Sequence, residues 1–157
     1  MRLALALILI ASPLAAQDLS YTNDHTLNCI NQASDPEGRR GCIGTSARVC
    51  MEMSGGSTIE MSTCLAQERD LWDYALNENY RQAIEKAQRY DADVAKPMVE
   101  QPLREMQRAW IAFRDARCEF ERSQWGGGSG GGPAVTGCLM QETGEQALYL
   151  YETWLSQ

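Results

Sequence analysis

Residues 57–90 read STIEMSTCLAQERDLWDYALNENYRQAIEKAQRY, and they carry the strongest helical signal in this chain of 157 residues. Ser57 followed three positions later by Glu60 matches a capping box, an arrangement that begins many helices. The apolar residues behind it keep the spacing of one helix face. They are Met61, Leu65, Trp72, Ala75, Leu76, Ala83, Ile84 and Ala87. The pattern predicts one long helix that ends between Tyr90 and Lys96.

A second helical pattern follows a break marked by Pro97 and Pro102. It predicts a helix from about Pro102 to Gln124, because apolar residues recur there at alternating spacings of three and four. The stripe consists of Leu103, Met106, Trp110, Phe113, Arg117 and Phe120. Arg117 is the one charged member, and we expect its stem to pack while its guanidinium reaches a carboxylate or a carbonyl.

The segment 126–133 reads GGGSGGGP, a composition that predicts a flexible loop. Beyond it, the sequence predicts a last helix from about Cys138 to Trp154. Its expected buried face comprises Met140, Ala147, Leu148, Tyr151, Trp154 and Leu155.

Upstream of the long helix, residues 17–53 predict an N-terminal helical hairpin extension that precedes a domain at 54–157. Residues 29–33 are predicted to form a short helix, and residues 34–37 are predicted to form a turn. Pro36, within this turn, suits the first position of a following helix. That helix is expected from about Glu37 to Met51, although Gly38, Gly41 and Gly44 weaken the pattern. The whole reading is all-α, a small disulfide-braced bundle of helical hairpins with one glycine-rich loop.

Residues 1–16 have a basic start, a short apolar run and small residues at the end, which predicts a signal peptide cleaved after Ala16. All six cysteines follow it, and an even count in an exported chain indicates a disulfide framework. Six cysteines allow fifteen pairings, so connectivity stays open. Local pairs are favoured because each flanks its own turn: Cys29 with Cys42, Cys50 with Cys64, and Cys118 with Cys138.

The charge is acidic: 14 Lys and Arg stand against 21 Asp and Glu, a net charge of −7. Removing the leader with Arg2 leaves 13 against 21, a net charge of −8. Such a surface is a poor partner for nucleic acid or an anionic membrane and would attract a basic protein. The simpler interpretation is that the charge only keeps the protein soluble. No apolar run after Ala16 predicts membrane insertion.

The sequence contains patterns that resemble enzyme motifs, but the neighbouring elements and residues that those motifs require are missing. The glycine tract satisfies G-x-G-x-x-G and G-x-S-x-G, yet a helix rather than a strand precedes it, and His25 is the single histidine. No C-x-x-C and no histidine pair is present. The sequence therefore predicts a non-enzyme without a metal or a cofactor.

Three of the four tryptophans, Trp72, Trp110 and Trp154, are assigned to the core by their spacing. Trp125 stands beside the glycine tract, where two outcomes are open. It is either an exposed binding anchor or a ring folded back to cover the loop.

The stretch from Cys50 to Cys138 resembles the lysozyme-inhibitor LprI-like domain of bacterial exported proteins. Three separated pieces carry the resemblance, residues 58–64, 76–80 and 107–118, and the spacing Trp-x3-Arg-Asp-x2-Cys is the most specific part. The family-signature positions in this sequence are Asn77, Tyr80, Trp110, Arg114 and Asp115.

The resemblance implies a small helical domain with disulfides Cys50–Cys64 and Cys118–Cys138, and a periplasmic or secreted protein that binds and blocks lysozyme-type muramidases. A basic lysozyme is the expected partner, and Trp125 and Ser129 are the expected contact loop. Cys29, Cys42 and the long glycine tract depart from the family pattern. The alternative function is a non-enzymatic interaction or structural module of the cell envelope with no action on lysozyme.

Overall fold

A computed structural model describes residues 20–156, and the leader predicted at 1–16 lies outside that range. The described part contains helices and no strand. In chain order the helices are α1 (Asp24–Gln32), α2 (Pro36–Arg40), α3 (Thr45–Met53), α4 (Thr58–Ala92), α5 (Glu100–Ser123) and α6 (Gly131–Leu150). A π-helical turn, Tyr151–Leu155, continues α6 directly. The all-α prediction is confirmed.

Helix α4 begins as its capping box predicts. The hydroxyl of Ser57 accepts from the backbone N–H of Glu60 at 3.2 Å, and the N–H of Ser57 donates to the Glu60 carboxylate at 2.9 Å. The helix then runs for 35 residues, a length of about 50 Å at 1.5 Å per residue. It is the longest element in the described range, and α3, α5, α6 and the π-helical turn all contact it.

The core lies mainly between α4 and α6, the two helices with the most extensive mutual packing. Helix α5 packs chiefly on α6, α3 packs on the first half of α4, and α1 packs mainly on α3. The buried apolar cluster consists of Ala47, Trp72, Leu76, Met140, Ala147, Leu148 and Leu150. Trp72, expected in the core, is 3% exposed. Trp110 and Trp154 are half-buried rather than fully enclosed.

The single helix predicted from Glu37 to Met51 is wrong. The chain forms α2, then a turn, then α3, and the break lies at Gly44, whose φ of +90° is left-handed. Glycine adopts this conformation without the steric cost that a side chain would add. The turn lets α3 change direction and present its first backbone N–H groups to α4.

The start of the last helix is also wrong in the prediction, because α6 begins at Gly131 and not at Cys138. Pro133 fits within the first turn, where a backbone N–H has no intrahelical acceptor. Gly131 is buried, and the backbone at Gly132 packs close to the hydroxyl of Ser62 on α4. Tertiary packing therefore overrides the poor helix propensity of the glycines.

The apolar stripe predicted on α5 is only half correct. Leu103, Met106 and Trp110 pack on the core, but Phe113 and Phe120 are 57% and 64% exposed. Helix α5 lies on the outside of the bundle and meets α6 along one side only, which leaves those two rings in solvent. Tyr151, expected on the buried face of α6, is 46% exposed, and it lies at the C-terminal end of α6 where the π-helical turn begins.

Arg117 does what its position on the stripe predicts. Its guanidinium donates to the carboxylate of Glu142 on α6, a residue that is only 5% exposed. The pair joins α5 to α6 beside the disulfide at Cys118.

Three disulfides join neighbouring elements. Cys29–Cys42 ties α1 to the turn after α2, Cys50–Cys64 ties α3 to α4, and Cys118–Cys138 ties α5 to α6. Their Cα–Cα distances are 5.6, 5.7 and 5.4 Å.

Candidate binding surface

The connection between α5 and α6 is an ordered turn rather than an open loop. Gly126 and Gly127 take positive φ values of 53° and 84°, and the N–H of Gly128 donates to the carbonyl of Trp125 at 2.8 Å. The turn is then closed by the N–H of Gly131, which donates to Gly128 at 3.1 Å. With the disulfide at its base, this connection has little conformational freedom to lose on binding.

Trp125 combines the two outcomes that the sequence left open. Its ring lies flat enough against Gly130 that a Cβ added there would stand 2.2 Å from a ring carbon, so only glycine fits beneath it. The same side chain is 54% exposed. The ring therefore covers the turn with one side and offers the other to solvent, as an amphipathic anchor does.

Ser129 is exposed and lies at the edge of a groove between the start of α4 and the start of α6. The groove has a volume of about 640 Å³. Ile59, Gln67 and Asp70 line its α4 side, and Thr136 lines its α6 side. Ser129 lines the groove, and Trp125 does not.

The signature residues of α5 form one cluster. The guanidinium of Arg114 lies over the ring of Trp110 at 5.0 Å from its centroid, within cation–π range. The same guanidinium donates twice to Asp115, at 2.9 and 2.8 Å. Because Trp110 is half-buried against the core, the cluster anchors α5 and leaves Asp115 in solvent.

The two signature residues of α4 lie apart from that cluster. Asn77 is exposed and donates to Asp73 at 3.0 Å, on the outer face of the helix. Tyr80 is half-buried and packs against the core. Next to it, the amide of Asn79 donates to the carbonyl of Ala147 on α6 at 2.9 Å. Among the signature positions, only Asn77 and Asp115 are exposed.

A buried carboxylate, missed by the sequence reasoning, joins three elements. Glu68 on α4 is fully buried. It accepts hydrogen bonds from the hydroxyl of Thr26 at 2.8 Å, the N–H groups of Gly44 and Ala47 at 2.7 Å each, and the indole N–H of Trp72 at 3.2 Å. The backbone donors belong to the first turn of α3, where the helix dipole favours an anion.

A sequence signal for Glu68 existed. It stands one turn after Cys64 and one turn before Trp72, which places it on the buried face of α4. A charged residue at such a position requires partners, because an unpaired buried charge is strongly unfavourable. The partners come from α1 and α3, whose position relative to α4 the sequence did not define.

The outer face of α4 is acidic. Its carboxylates Asp70, Asp73, Glu78 and Glu85 outnumber the arginines Arg69, Arg81 and Arg89. Hydrogen bonds from Arg81 and Gln82 lower the pKa of Glu78 to about 2. This carboxylate is therefore ionised at neutral pH.

At the far end of α4, Asp91 caps α5. Its carboxylate accepts from the N–H groups of Met98, Val99 and Glu100 at 2.9, 3.1 and 2.9 Å. The bonds from Glu100 and Met98 are the main reason that the pKa of Asp91 lies below its usual range.

Within residues 20–156, no group of three or more His, Cys, Asp and Glu is arranged to hold a metal ion. In the same range, no helix has the combination of length and apolar character that a bilayer crossing demands.

Comparison with known proteins gives consistent matches. A protein-family model described as Lysozyme inhibitor LprI matches residues 50–150. The chain is 25% identical over 151 residues to an uncharacterized 17.7 kDa protein of Rhodobacter capsulatus, covering 92% of this chain and 91% of the relative. It is 32% identical over 101 residues to an uncharacterized protein of Rhizobium meliloti (strain 1021), covering 61% and 73%.

A third relative is the uncharacterized protein YecT of Escherichia coli (strain K12), 31% identical over 126 residues, which cover 75% of this chain and 66% of YecT. No solved structure matches the chain. The matched family model spans α4, α5 and α6 together with the Cys50–Cys64 and Cys118–Cys138 disulfides. It describes inhibitors and not enzymes, so the chain is not assigned a catalytic role. The chain belongs to the LprI lysozyme-inhibitor family.

Proposed function

We infer that this protein is an exported inhibitor that binds lysozyme-type muramidases and blocks their cleft. The observation that carries the inference is the family match over residues 50–150. The disulfide-tied arrangement of α4, α5 and α6 within that match supports it, because a rigid surface loses little entropy on binding.

The contact that we propose includes the turn between α5 and α6. Trp125 offers a half-exposed aromatic side, and Ser129 offers an exposed hydroxyl at the edge of the groove. Aromatic side chains of this kind are frequent binding hot spots, since a large rigid ring buries much area with few rotatable bonds. The turn is held by Cys118–Cys138 and by the ring of Trp125 against Gly130.

Export to the periplasm or the medium belongs to the same proposal. The leader at residues 1–16 supports it, and so do three disulfides, which persist in oxidising compartments and are rare in the cytosol. Muramidases act in those same compartments. The acidic surface adds to the case, because a basic lysozyme would be steered toward it.

The test is a titration of muramidase activity. Mature, oxidised protein is added in increasing amounts to a panel of lysozymes of different types, and residual hydrolysis of cell walls is followed. We expect saturable inhibition of at least one basic member of the panel. Full activity of every lysozyme at micromolar protein would refute the proposal and would favour an envelope interaction module.

A further inference from the structure

The outer face of α4 carries an exposed aromatic ring inside an acidic surround. Tyr74 is 74% exposed. Asp70 lies one turn before it and Glu78 one turn after it on the same face, because residues four apart on a helix are neighbours. Asp73 and Asn77 border the ring on one side, joined by their hydrogen bond of 3.0 Å.

This face is continuous with the groove beside the α5–α6 turn. Asp70 lines the groove and also stands one turn from Tyr74, so the two features share a residue. At the other end of the groove, Ile59 is 78% exposed, a large apolar side chain left in solvent. Ile59, Gln67, Asp70 and Tyr74 together form a strip along α4, which we call the α4 strip.

Gln67 contributes to the strip a hydrogen-bond acceptor that has no donor among the described residues. Its side-chain carbonyl is buried and finds no donor within residues 20–156. Leaving such an acceptor unpaired costs about 1–3 kcal/mol. A rotation of the amide toward the groove would let a cationic donor from a partner satisfy it.

We propose that the α4 strip is a docking surface for a cationic protein surface, with Tyr74 as its anchor and Asp70 as its steering charge. The proposal rests on the proposed function and deepens it, because it names where the basic partner sits beyond the α5–α6 turn. Charge complementarity selects the occupant. The four carboxylates Asp70, Asp73, Glu78 and Glu85 exceed the three guanidiniums around the same face, Arg69, Arg81 and Arg89, and a second copy of this acidic chain would be repelled.

The anchor is tested by binding a basic lysozyme to the full mature, oxidised protein and measuring Kd by calorimetry, in parallel with muramidase inhibition. Tyr74→Ala is expected to weaken binding about thirtyfold, the usual threshold of an aromatic hot spot. The matched control is Tyr90→Ala. Tyr90 is 49% exposed on the same helix but points away from the strip, 16 positions and about 160° of helix rotation further on. This control is expected to bind as the wild type does.

The steering charge has its own matched pair of variants. Asp70 and Asp115 are exposed aspartates that each bind the guanidinium of the preceding arginine at 2.8 Å. Asp70→Asn is expected to slow association at low salt, and this difference from wild type should vanish at high salt. Asp115→Asn, on α5, is expected to leave the association rate unchanged.

The outcomes separate the two proposals. If wild type inhibits and Tyr74→Ala inhibits equally well, the α4 strip is not the docking surface, while the proposed function stands. If wild type binds without inhibiting and Tyr74→Ala loses binding, the docking surface stands and the inhibitor function falls. If wild type neither binds nor inhibits, both fall. Sedimentation that shows a dimer dissociated by Tyr74→Ala would also overturn the proposal, because the strip would then serve self-association.

Discussion

Glu68 shows how a single residue can hold several helices in place. The carboxylate accepts hydrogen bonds from backbone N–H groups at the start of α3 and from the hydroxyl of Thr26 on α1. Thr26 in turn exchanges two hydrogen bonds with Ser46 on α3, at 3.0 and 2.9 Å. An apolar residue at this position would leave buried donors without an acceptor. The carboxyl group of Glu68 therefore positions the N-terminal helices together with the Cys29–Cys42 and Cys50–Cys64 disulfides.

Replacing this carboxylate gives a direct prediction. Glu68→Ala is expected to lower the free energy of unfolding by about 3–5 kcal/mol, since buried polar groups lose their partner. Urea denaturation monitored by circular dichroism measures the change. Glu105→Gln is the control, because Glu105 is on the outside of α5 and bonds only Gln101. A loss from Glu68→Ala no larger than that of the control would contradict the account.

Gly44 supplies a second prediction at the same scale. Gly44→Ala is expected to cost about 1–2 kcal/mol, because its φ of +90° is unfavourable for a residue with a Cβ. That Cβ would also stand 3.1 Å from Met140, which must shift. Gly56 has a φ of +77° and open space around it, so Gly56→Ala measures the cost of the backbone conformation without the contact to Met140. Equal unfolding midpoints for Gly44→Ala and wild type would refute the assignment.

Individual helices differ in how well the sequence predicts them. Helix α4 is predictable because its capping box and its buried face agree with each other. Helix α6 is not, since its first turn consists of glycines whose structure comes from packing on α4. The α4 strip gave no sequence signal either: Tyr74 and Asp70 lie on a solvent-facing side, where residue type carries no periodic pattern.

The start of α5 depends on the charge of Asp91. Because the folded pKa lies below the unfolded value of about 4, this cap contributes stability at neutral pH that is lost as pH falls through the folded pKa. Asp91→Asn is therefore expected to lower Tm at pH 7, and the difference from wild type should shrink as pH approaches 2. Thermal melts across that range measure it. A difference that stays constant with pH would show that the charge plays no part.

The start of α6 depends on Cys118–Cys138. Removing both cysteines as alanines is expected to cost about 3 kcal/mol, the loop-closure contribution of a bridge across 20 residues. Hydrogen exchange is expected to rise most at residues 126–138, where the glycine turn depends on this link. Uniform loss of protection along α4 and α6 would instead mean that the bridge stabilises the whole bundle equally.

At the scale of the whole molecule, the chain is a helical bundle whose elements are joined by three disulfides and one buried carboxylate. The fold class followed from helix-forming composition, apolar spacing and the cysteines of an exported chain. The binding surface did not follow, because surface residues are constrained by a partner rather than by the fold. A rigid scaffold thus carries an acidic, aromatic surface, and we propose that this surface binds a basic muramidase.

The most direct measurement compares two forms of the same mature protein in one lysozyme titration. One form is oxidised; the other is reduced, alkylated at its six cysteines and freed of reductant before use. We expect saturable inhibition of a basic lysozyme by the oxidised form and none by the alkylated form, since the surface exists only on the cross-linked scaffold. Equal inhibition by both forms, or none by the oxidised form, would contradict the account.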